Sequence, residues 1–243
     1  MIMEKTVSEA IAYRRSVRIF KNSPIDAKRV RDCLENACLA PTSSNLQLWE
    51  FMHITSEDVL VNLSACCFGQ NAAKTASQMV VFISRRDLWK RRAQANTNFL
   101  QHEFKSKDGQ SWRRREKLIL NYYRKLIPTL YTEFLGLLGW IKFVFLTIVG
   151  LFRPIYREVR KSDLRIVAHK STALAAENFM ISMAAIGYDT CPMEGFDSHR
   201  VKKLLSLPWS AEITMIIGCG IREEKGVYGP RFRVPFAEVY TQR

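Results

Sequence analysis

The sequence predicts a mixed α+β domain that is interrupted once by a helical insertion. WEFMHIT (49–55) alternates like a half-buried strand, and QMVVFIS (78–84) is a continuous apolar run typical of a buried one. Residues 85–170 hold 20 Lys and Arg against 7 Asp and Glu, which accounts for +13 of the net charge of +14. We therefore predict that residues 1–243 form one domain with a basic insertion at about 86–165.

The part before the insertion begins with two helices. The apolar residues of KTVSEAIAYRR (5–15) recur at roughly helical spacing. A second helix lies within residues 23–42, where Asp26 suits the N-cap and Pro41 follows the end. A short helix is expected before the second strand. The predicted apolar face of the second helix comprises Val30, Leu34, Ala37 and Cys38.

The insertion is predicted to be helical. Residues 88–126 have a helical pattern with a break near 107–110. FLGLLGWIKFVFLTIVGLF (134–152) has a single charge, Lys142, and predicts an apolar helix of 19 residues. Such a helix would be about 28 Å long, close to the thickness of the hydrocarbon layer of a membrane.

The chain returns to ordinary globular composition after the insertion. STALAAENFMISMAAIGY (171–188) is apolar almost all round and predicts a central helix. DTCPMEGFD (189–197) predicts a loop, SHRVKKLLSL (198–207) a short helix, and AEITMIIGCG (211–220) a core strand. GVYGPRFRVPFAEVY (226–240) predicts an extended tail.

The sequence gives little evidence for a metal site or for an export signal. The six cysteines form no CxxC pair and the four histidines do not stand at ligand spacing from them, so metal binding has little support. MIMEKTVSEAIAYRRS has no apolar signal core, which predicts a cytoplasmic protein.

Three patches carry more polar groups than a helix end or a turn requires. The three arginines of RRSVR (14–18) offer forked donors suited to a phosphate or a flat polar heterocycle, although a solvated basic helix end is the alternative. APTSSNLQLWEF (40–51) places several hydroxyl and amide side chains before a strand. The third patch combines CPMEGFD (191–197) with the alternating arginines of GPRFR (229–233).

These patches, in this order, resemble the motifs of the FMN-dependent nitroreductase family. RRSVRIF is similar to its Arg-Arg-Ser-x-Arg signature, and APTSSNLQLWEF is similar to its Pro-Ser-Ser-x-Asn-x-Gln-Pro-Trp-x-Phe signature. PMEGFD resembles its Pro-x-Glu-Gly-Phe-Asp loop, and GPRFRVPFAEVY resembles its basic C-terminal tail. The resemblance covers roughly residues 5–84 and 165–243, and Leu48 stands where the signature has Pro.

The resemblance implies a nitroreductase-like fold, in which a central, mainly antiparallel sheet is flanked by helices. It also implies a homodimer with FMN at the subunit interface. The residues implied to bind the phosphate and the pyrimidine edge are Arg14, Arg15, Ser16 and Arg18, with Arg231 and Arg233 closing from the tail. Those implied to reach or support the same flavin from the other subunit are Pro41, Thr42, Ser43, Asn45 and Gln47. Those implied to lie beside the flavin ring are Pro192, Met193, Glu194 and Gly195, with a backbone N–H aimed at N5.

The implied activity is NAD(P)H-dependent reduction of nitroaromatic, quinone or related acceptors by a ping-pong mechanism. The flavin carries this chemistry, so no catalytic side chain is assigned, and a cation such as Arg18 would stabilise the reduced ring. Gln70, Asn71 and Lys74 lie near a position where some family members contact the flavin, but their spacing does not match and they receive no role. Two alternatives stay open. One is another flavin reaction on the same fold, such as reductive dehalogenation or flavin breakdown; the other is a membrane-associated interaction module with little turnover.

The insertion leaves three interpretations. Its apolar helix packs against the other subunit or roofs the active site, or it lies on an anionic membrane surface through residues 113–161. A nucleic-acid role is not expected, because apolar bulk is a poor surface for a duplex. A single membrane crossing is excluded if the family resemblance holds, because it would separate residues 14–47 from residues 194–233.

Overall fold

The computed structural model describes residues 4–105, 110–134 and 136–243. Within these residues one antiparallel sheet has the order β1-β2-β4-β3, which confirms the predicted α+β class. The strands are β1 (Trp49–Ile54), β2 (Gln78–Ser84), β3 (Asp189–Met193) and β4 (Glu212–Gly220).

The helices lie on both faces of this sheet. Before the insertion they are α1 (Val7–Tyr13), α2 (Ala27–Ala37), α3 (Glu57–Cys66) and α4 (Asn71–Lys74). The insertion forms α5 (Trp89–Lys105), α6 (Gln110–Asn121), a π-helical turn (Tyr122–Leu126), α7 (Ile127–Tyr131) and α8 (Leu137–Val149). After it come α9 (Lys161–Ala185), α10 (Ser198–Leu204) and the short α11 (Phe236–Val239) of the tail.

Strand β2 divides the core into two layers, because its side chains alternate between the faces of the sheet. Val80 and Phe82 pack with α2 and α9, where the ring of Phe82 lies 5.6 Å from that of Phe179. Met79 and Val81 pack on the other face against α3, α4 and α10. All of β2 is buried, as the sequence predicts.

Helix α9 is central, as predicted, but it begins at Lys161 rather than near Ser171. The earlier start follows from a reciprocal cap, because the carboxylate of Asp163 accepts hydrogen bonds from the backbone and the guanidinium of Arg160. Helix α9 therefore extends from the insertion into the core and joins the two parts of the chain.

Strand β3 corrects the predicted loop at 189–197. The first five residues of that segment pair with β4, with Pro192 opposite Ile217. Proline lacks a backbone donor, and it is tolerated here because β3 is an edge strand. Only the residues after Met193 form the predicted loop.

The apolar helix of the insertion is shorter than predicted. Helix α8 has 13 residues rather than 19, and it starts after Gly136, whose φ of +85° is left-handed. It stops at Gly150, and its length is about 20 Å. In the described parts of the chain, no helix is both long and apolar enough to span a bilayer.

On α2, Asp26 caps the helix as predicted, but Cys38 is exposed and Cys33 occupies the buried position instead. The break expected near 107–110 lies outside the described residues, except for Gln110, where α6 begins.

Asp87 ties the start of the insertion to the core and predicts an acid-sensitive contact. Its carboxylate accepts hydrogen bonds from the Arg85 guanidinium at 2.9 and 3.0 Å and from the Ser210 hydroxyl at 3.0 Å. Desolvation raises the pKa of Asp87, but these bonds outweigh it, so the pKa lies below its ordinary value. This contact therefore stabilises the fold above the ordinary aspartate pKa and is lost as the pH falls through the lowered one.

We expect Asp87→Asn to flatten the acid limb of the stability curve below about pH 5, because the amide does not titrate. Urea midpoints measured from neutral to acid pH would show a smaller pH dependence than in the wild type. Glu224→Gln is the control, because Glu224 is exposed and has no ion pair in the described chain. An unchanged acid limb in the Asp87 variant would contradict the assignment.

Candidate functional site

An arginine-lined cleft of about 280 Å³ lies between the end of α1 and the C-terminal tail. The segment that follows α1 is held by backbone hydrogen bonds. Val17 N–H donates to the Thr190 carbonyl of β3 at 3.1 Å, and Arg18 N–H donates to the Gly226 carbonyl at 2.6 Å. These bonds place the RRSVR motif against the edge strand and the start of the tail. The residues brought together there include Arg14, Arg15, Ser16, Arg18, Arg231 and Arg233.

The cationic groups of this cleft are not neutralised. Three guanidinium groups donate to backbone carbonyls: Arg15 to Gly229 at 2.9 Å, Arg231 to Ala12 at 2.9 Å, and Arg233 to Phe232 at 2.7 Å. The guanidinium groups of Arg14 and Arg18 have no acceptor among the described residues, and no carboxylate lines the cleft. Desolvation, followed by repulsion from the neighbouring arginines, lowers the pKa of Arg231. An anion in the cleft would relieve that repulsion and accept the free donors.

A buried ion pair supports the cleft from behind. Asp189 is 3% exposed, and its carboxylate accepts from the Arg222 guanidinium at 2.5 and 2.8 Å and from the Arg222 backbone N–H at 2.7 Å. The guanidinium also donates to the carbonyl of Tyr13 at 3.2 Å and lies over its ring. The pair thereby joins β3 to the residue that directly precedes the arginine motif. Sequence reasoning assigned it no role.

The PMEG segment follows β3 without a break. Met193 is buried as the last strand residue, whereas Glu194 and Gly195 are exposed. The side-chain amide of Gln70 donates to the Gly195 carbonyl at 2.7 Å and so fixes the loop. Nearby, the Asn71 amide donates to the Tyr228 hydroxyl at 3.2 Å. Gln70 and Asn71 therefore contact the candidate site although their sequence spacing gave no reason to include them.

Cys191 lies near the same arginines but does not suit a nucleophile. It is fully buried in β3, and burial raises the pKa of its thiol despite the opposing influence of Arg18 and Arg14. In the described chain no cluster of His, Cys, Asp and Glu is arranged to hold a metal ion.

The second predicted patch forms what we call the rim loop, residues 41–47. It contains a short 3₁₀ turn (Ser43–Asn45), and Ser44, Asn45 and Gln47 have left-handed backbone angles. The Thr42 hydroxyl accepts from the Gln47 backbone N–H at 3.2 Å and closes the loop. Three polar residues of this loop are therefore held in backbone conformations that an ordinary turn does not need.

The insertion holds the rim loop in place. The Ser44 and Tyr122 hydroxyls are 2.5 Å apart, and the Tyr123 hydroxyl donates to the Ser44 carbonyl at 3.0 Å. The Asn45 amide donates to the Asn96 side-chain oxygen at 2.8 Å. Leu48, which stands at the family's Pro position, is 3% exposed and packs in a cluster with insertion side chains.

Within one chain the predicted site is incomplete. The arginine motif, the tail arginines and β3 lie together, but the rim loop does not line the arginine cleft. Instead, Ser43 and Ser44 face the insertion. One chain therefore supplies two separate polar surfaces.

Comparison with known proteins gives a consistent result. The model of the Nitroreductase family matches residues 11–221. A Staphylococcus epidermidis protein assigned as an NAD(P)H nitroreductase is 24% identical over 234 residues, which is 93% of this chain and 92% of that protein. Among solved structures, the assigned nitroreductase ydfN of Bacillus subtilis has a TM-score of 0.72 at 22% identity and covers 97% of this chain and 98% of its own. An assigned nitroreductase of Exiguobacterium sibiricum, solved in complex with FMN, has a TM-score of 0.67 at 21% identity and covers 99% of both chains.

Proposed function

The chain belongs to the nitroreductase family and is an oxidoreductase, and we propose that it binds FMN and uses NAD(P)H to reduce quinone, nitroaromatic or related acceptors. The observation that carries this proposal is the arginine cleft. Five arginines line it without a carboxylate, and the guanidinium groups of Arg14 and Arg18 are free to bind a phosphate. The residues present therefore fit the anionic end of FMN.

The proposal gives each part of the site a role. Arg14, Arg15 and Arg18 hold the phosphate and the polar edge of the ring, and the tail arginines close the cleft. The loop at Glu194 and Gly195, fixed by Gln70, presents backbone N–H groups towards the ring. FMN held there would supply two-electron transfer from NAD(P)H to a second substrate, in ping-pong order. The protein supplies placement and positive charge, which favours the anionic reduced ring.

We further propose that the site is completed by a second copy of the chain. The rim loop has polar groups and strained backbone angles but does not reach the arginine cleft of its own chain. In a homodimer, Pro41, Thr42, Ser43, Asn45 and Gln47 of one subunit would contact the flavin held by the other. Closed two-fold symmetry would produce two equivalent sites.

The first test is the visible spectrum of the purified protein and identification of any flavin released on denaturation. The second test mixes two inactive variants, Arg14→Ala/Arg18→Ala and Ser43→Ala/Asn45→Ala, by unfolding and refolding them together. If the site is shared, the hybrid dimer carries one intact site, and roughly a quarter of the wild-type activity returns. Each variant refolded alone is the control.

The outcomes separate the two proposals. A colourless protein that does not bind added FMN would refute the enzymatic proposal and favour an interaction module. A yellow, active protein whose mixed variants stay inactive would retain the oxidoreductase and refute the shared site.

Helix α8 suggests an additional partner. Its exposed face is apolar, and exposed basic residues such as Arg153 follow it. We propose that this face lies on an anionic lipid surface. Its apolar side chains would contact the acyl chains, and the flanking cations would contact the anionic head groups. The face comprises Leu137, Trp140, Ile141, Val144, Phe145 and Ile148.

We expect the protein to sediment with vesicles that contain phosphatidylglycerol and much less with pure phosphatidylcholine. Trp140→Ser/Ile148→Ser should weaken this binding several-fold, because two apolar side chains lose their burial in lipid. Trp209→Ser is the matched control, since Trp209 is exposed outside the insertion. Absence of vesicle binding at low salt would refute the lipid surface and leave a second subunit as the cover of α8.

A further inference from the structure

A cavity of about 560 Å³ lies beside the rim loop, among the helices of the insertion. Ser43 and Ser44 form part of its lining, and the remainder comes from the π-helical turn, α7, α8, the connection that follows α8, and α9. Its volume is in the range of sites that enclose small organic ligands. Its walls include Leu126, Leu130, Phe145, Leu146, Val159 and Val167.

Several polar groups in these walls already have partners within the protein. The Lys142 ammonium donates to the Thr132 carbonyl at 2.7 Å, and the Thr129 hydroxyl donates to the Lys125 carbonyl at 2.7 Å. The Ser44 hydroxyl is paired with that of Tyr122. A polar ligand would have to break these bonds, whereas a hydrocarbon chain would leave them intact.

The position of the cavity suggests what fills it. One end meets the same rim loop that, under the proposed function, contacts the flavin. A ligand lying in the cavity would therefore have one end beside the flavin and the other among the side chains of the insertion.

We propose that this cavity binds the hydrocarbon tail of an amphiphilic electron acceptor, whose redox head group lies beside Ser43 and Ser44. The inference rests on the proposed function and specifies its substrate class as quinone-like acceptors with a long aliphatic chain. Reduction of the head group to a hydroquinone takes two electrons and two protons. NAD(P)H supplies the electrons and one proton as a hydride, and solvent supplies the second proton.

The test compares a benzoquinone that carries a decyl chain with the same quinone that carries a methyl group. Because each methylene buried in an apolar site increases affinity by about fourfold, the wild type should favour the decyl compound at least about tenfold in kcat/KM. Leu146→Trp fills the cavity and should abolish this preference while leaving kcat/KM for the methyl compound unchanged. Leu118→Trp, at an exposed leucine of α6 outside the cavity lining, is the matched control and should retain the preference.

A second variant and a second readout keep the test decisive if Leu146→Trp does not fold or the protein shows no turnover. Val167→Phe narrows the cavity from α9, so a failure of the first variant to fold is not decisive. Binding of dansyl-labelled undecanoate, followed by fluorescence, needs no turnover and should be lost in both variants. If this probe binds but no acceptor is reduced, the proposed function fails and the cavity assignment stands. If the protein reduces both quinones equally and the probe does not bind, the cavity assignment is overturned and the proposed function stands.

Discussion

Replacing both Arg14 and Arg18 with alanine is expected to weaken FMN binding by about two to four orders of magnitude. If the cleft holds the phosphate as proposed, each substitution removes a charge-assisted hydrogen bond, and such bonds contribute about 1.5–3 kcal/mol each. The same double variant should raise the thermal midpoint of the flavin-free protein. The reason is that the cleft concentrates arginines without a carboxylate, and the variant removes part of their mutual repulsion. Flavin fluorescence titration and thermal unfolding of the apoprotein measure the two effects.

Loss of net charge alone does not explain the expected result. Lys28→Ala/Lys203→Ala removes the same charge from exposed positions on α2 and α10 and should leave FMN affinity within about twofold. An Arg14/Arg18 variant that binds FMN as tightly as this control would show that the cleft is not the phosphate site. A less stable apoprotein would show that the arginines have a structural role instead.

Replacing Arg222 with methionine is expected to lower the free energy of unfolding by about 3–5 kcal/mol. Methionine retains most of the apolar contact with the ring of Tyr13, but it leaves the buried carboxylate of Asp189 without its cation. For a chain of this size, the expected decrease in thermal midpoint is about 6–20 °C. Calorimetry or urea unfolding of the apoprotein measures it without reference to the flavin.

Two further variants test whether the unpaired buried carboxylate causes this loss of stability. Asp189→Asn/Arg222→Met removes both charges and should recover part of the lost stability, because no uncompensated charge stays buried. Arg200→Met breaks an exposed pair with Asp197 and should cost no more than about 1 kcal/mol. If Arg222→Met costs as little as Arg200→Met, the pair does not stabilise the end of α1.

The four strands of the sheet differ in whether local sequence pattern predicts them. Strands β1, β2 and β4 follow from alternation or from a continuous apolar run, which are properties of the segment itself. Strand β3 does not, because DTCPM contains a proline and forms a strand only through pairing with β4. An edge strand of this kind is determined by tertiary contact rather than by propensity.

In the insertion, hydropathy predicts an apolar segment but not the ends of its helix. Hydropathy marks residues 134–152 as one apolar segment, but hydropathy alone does not identify where the backbone turns. Gly136 adopts a left-handed angle and Gly150 ends the helix, so α8 is a third shorter than the segment. The cap that starts α9 at Lys161 is a local signal, because Arg160 and Asp163 are three residues apart, but it lies in a basic stretch that obscures it.

The candidate site could be predicted from the sequence where its residues form contiguous motifs. The arginines of RRSVR and the tail lie in one cleft, although their binding roles stay predictions. The supporting groups were not predictable, since Asp189 and Arg222 are 33 residues apart and Gln70 reaches a loop 125 residues away. Only the folded chain shows which distant residues hold the motifs in position.

The hydrogen bonds between the rim loop and the insertion have a consequence for protein engineering. Ser44 is held by Tyr122 and Tyr123, and Asn45 is held by Asn96, so the loop takes its shape from the insertion. The insertion is therefore not an independent cassette. A chimera that transfers residues 86–160 to a related scaffold would need to transfer residues 42–48 as well, because these two segments form one transferable unit.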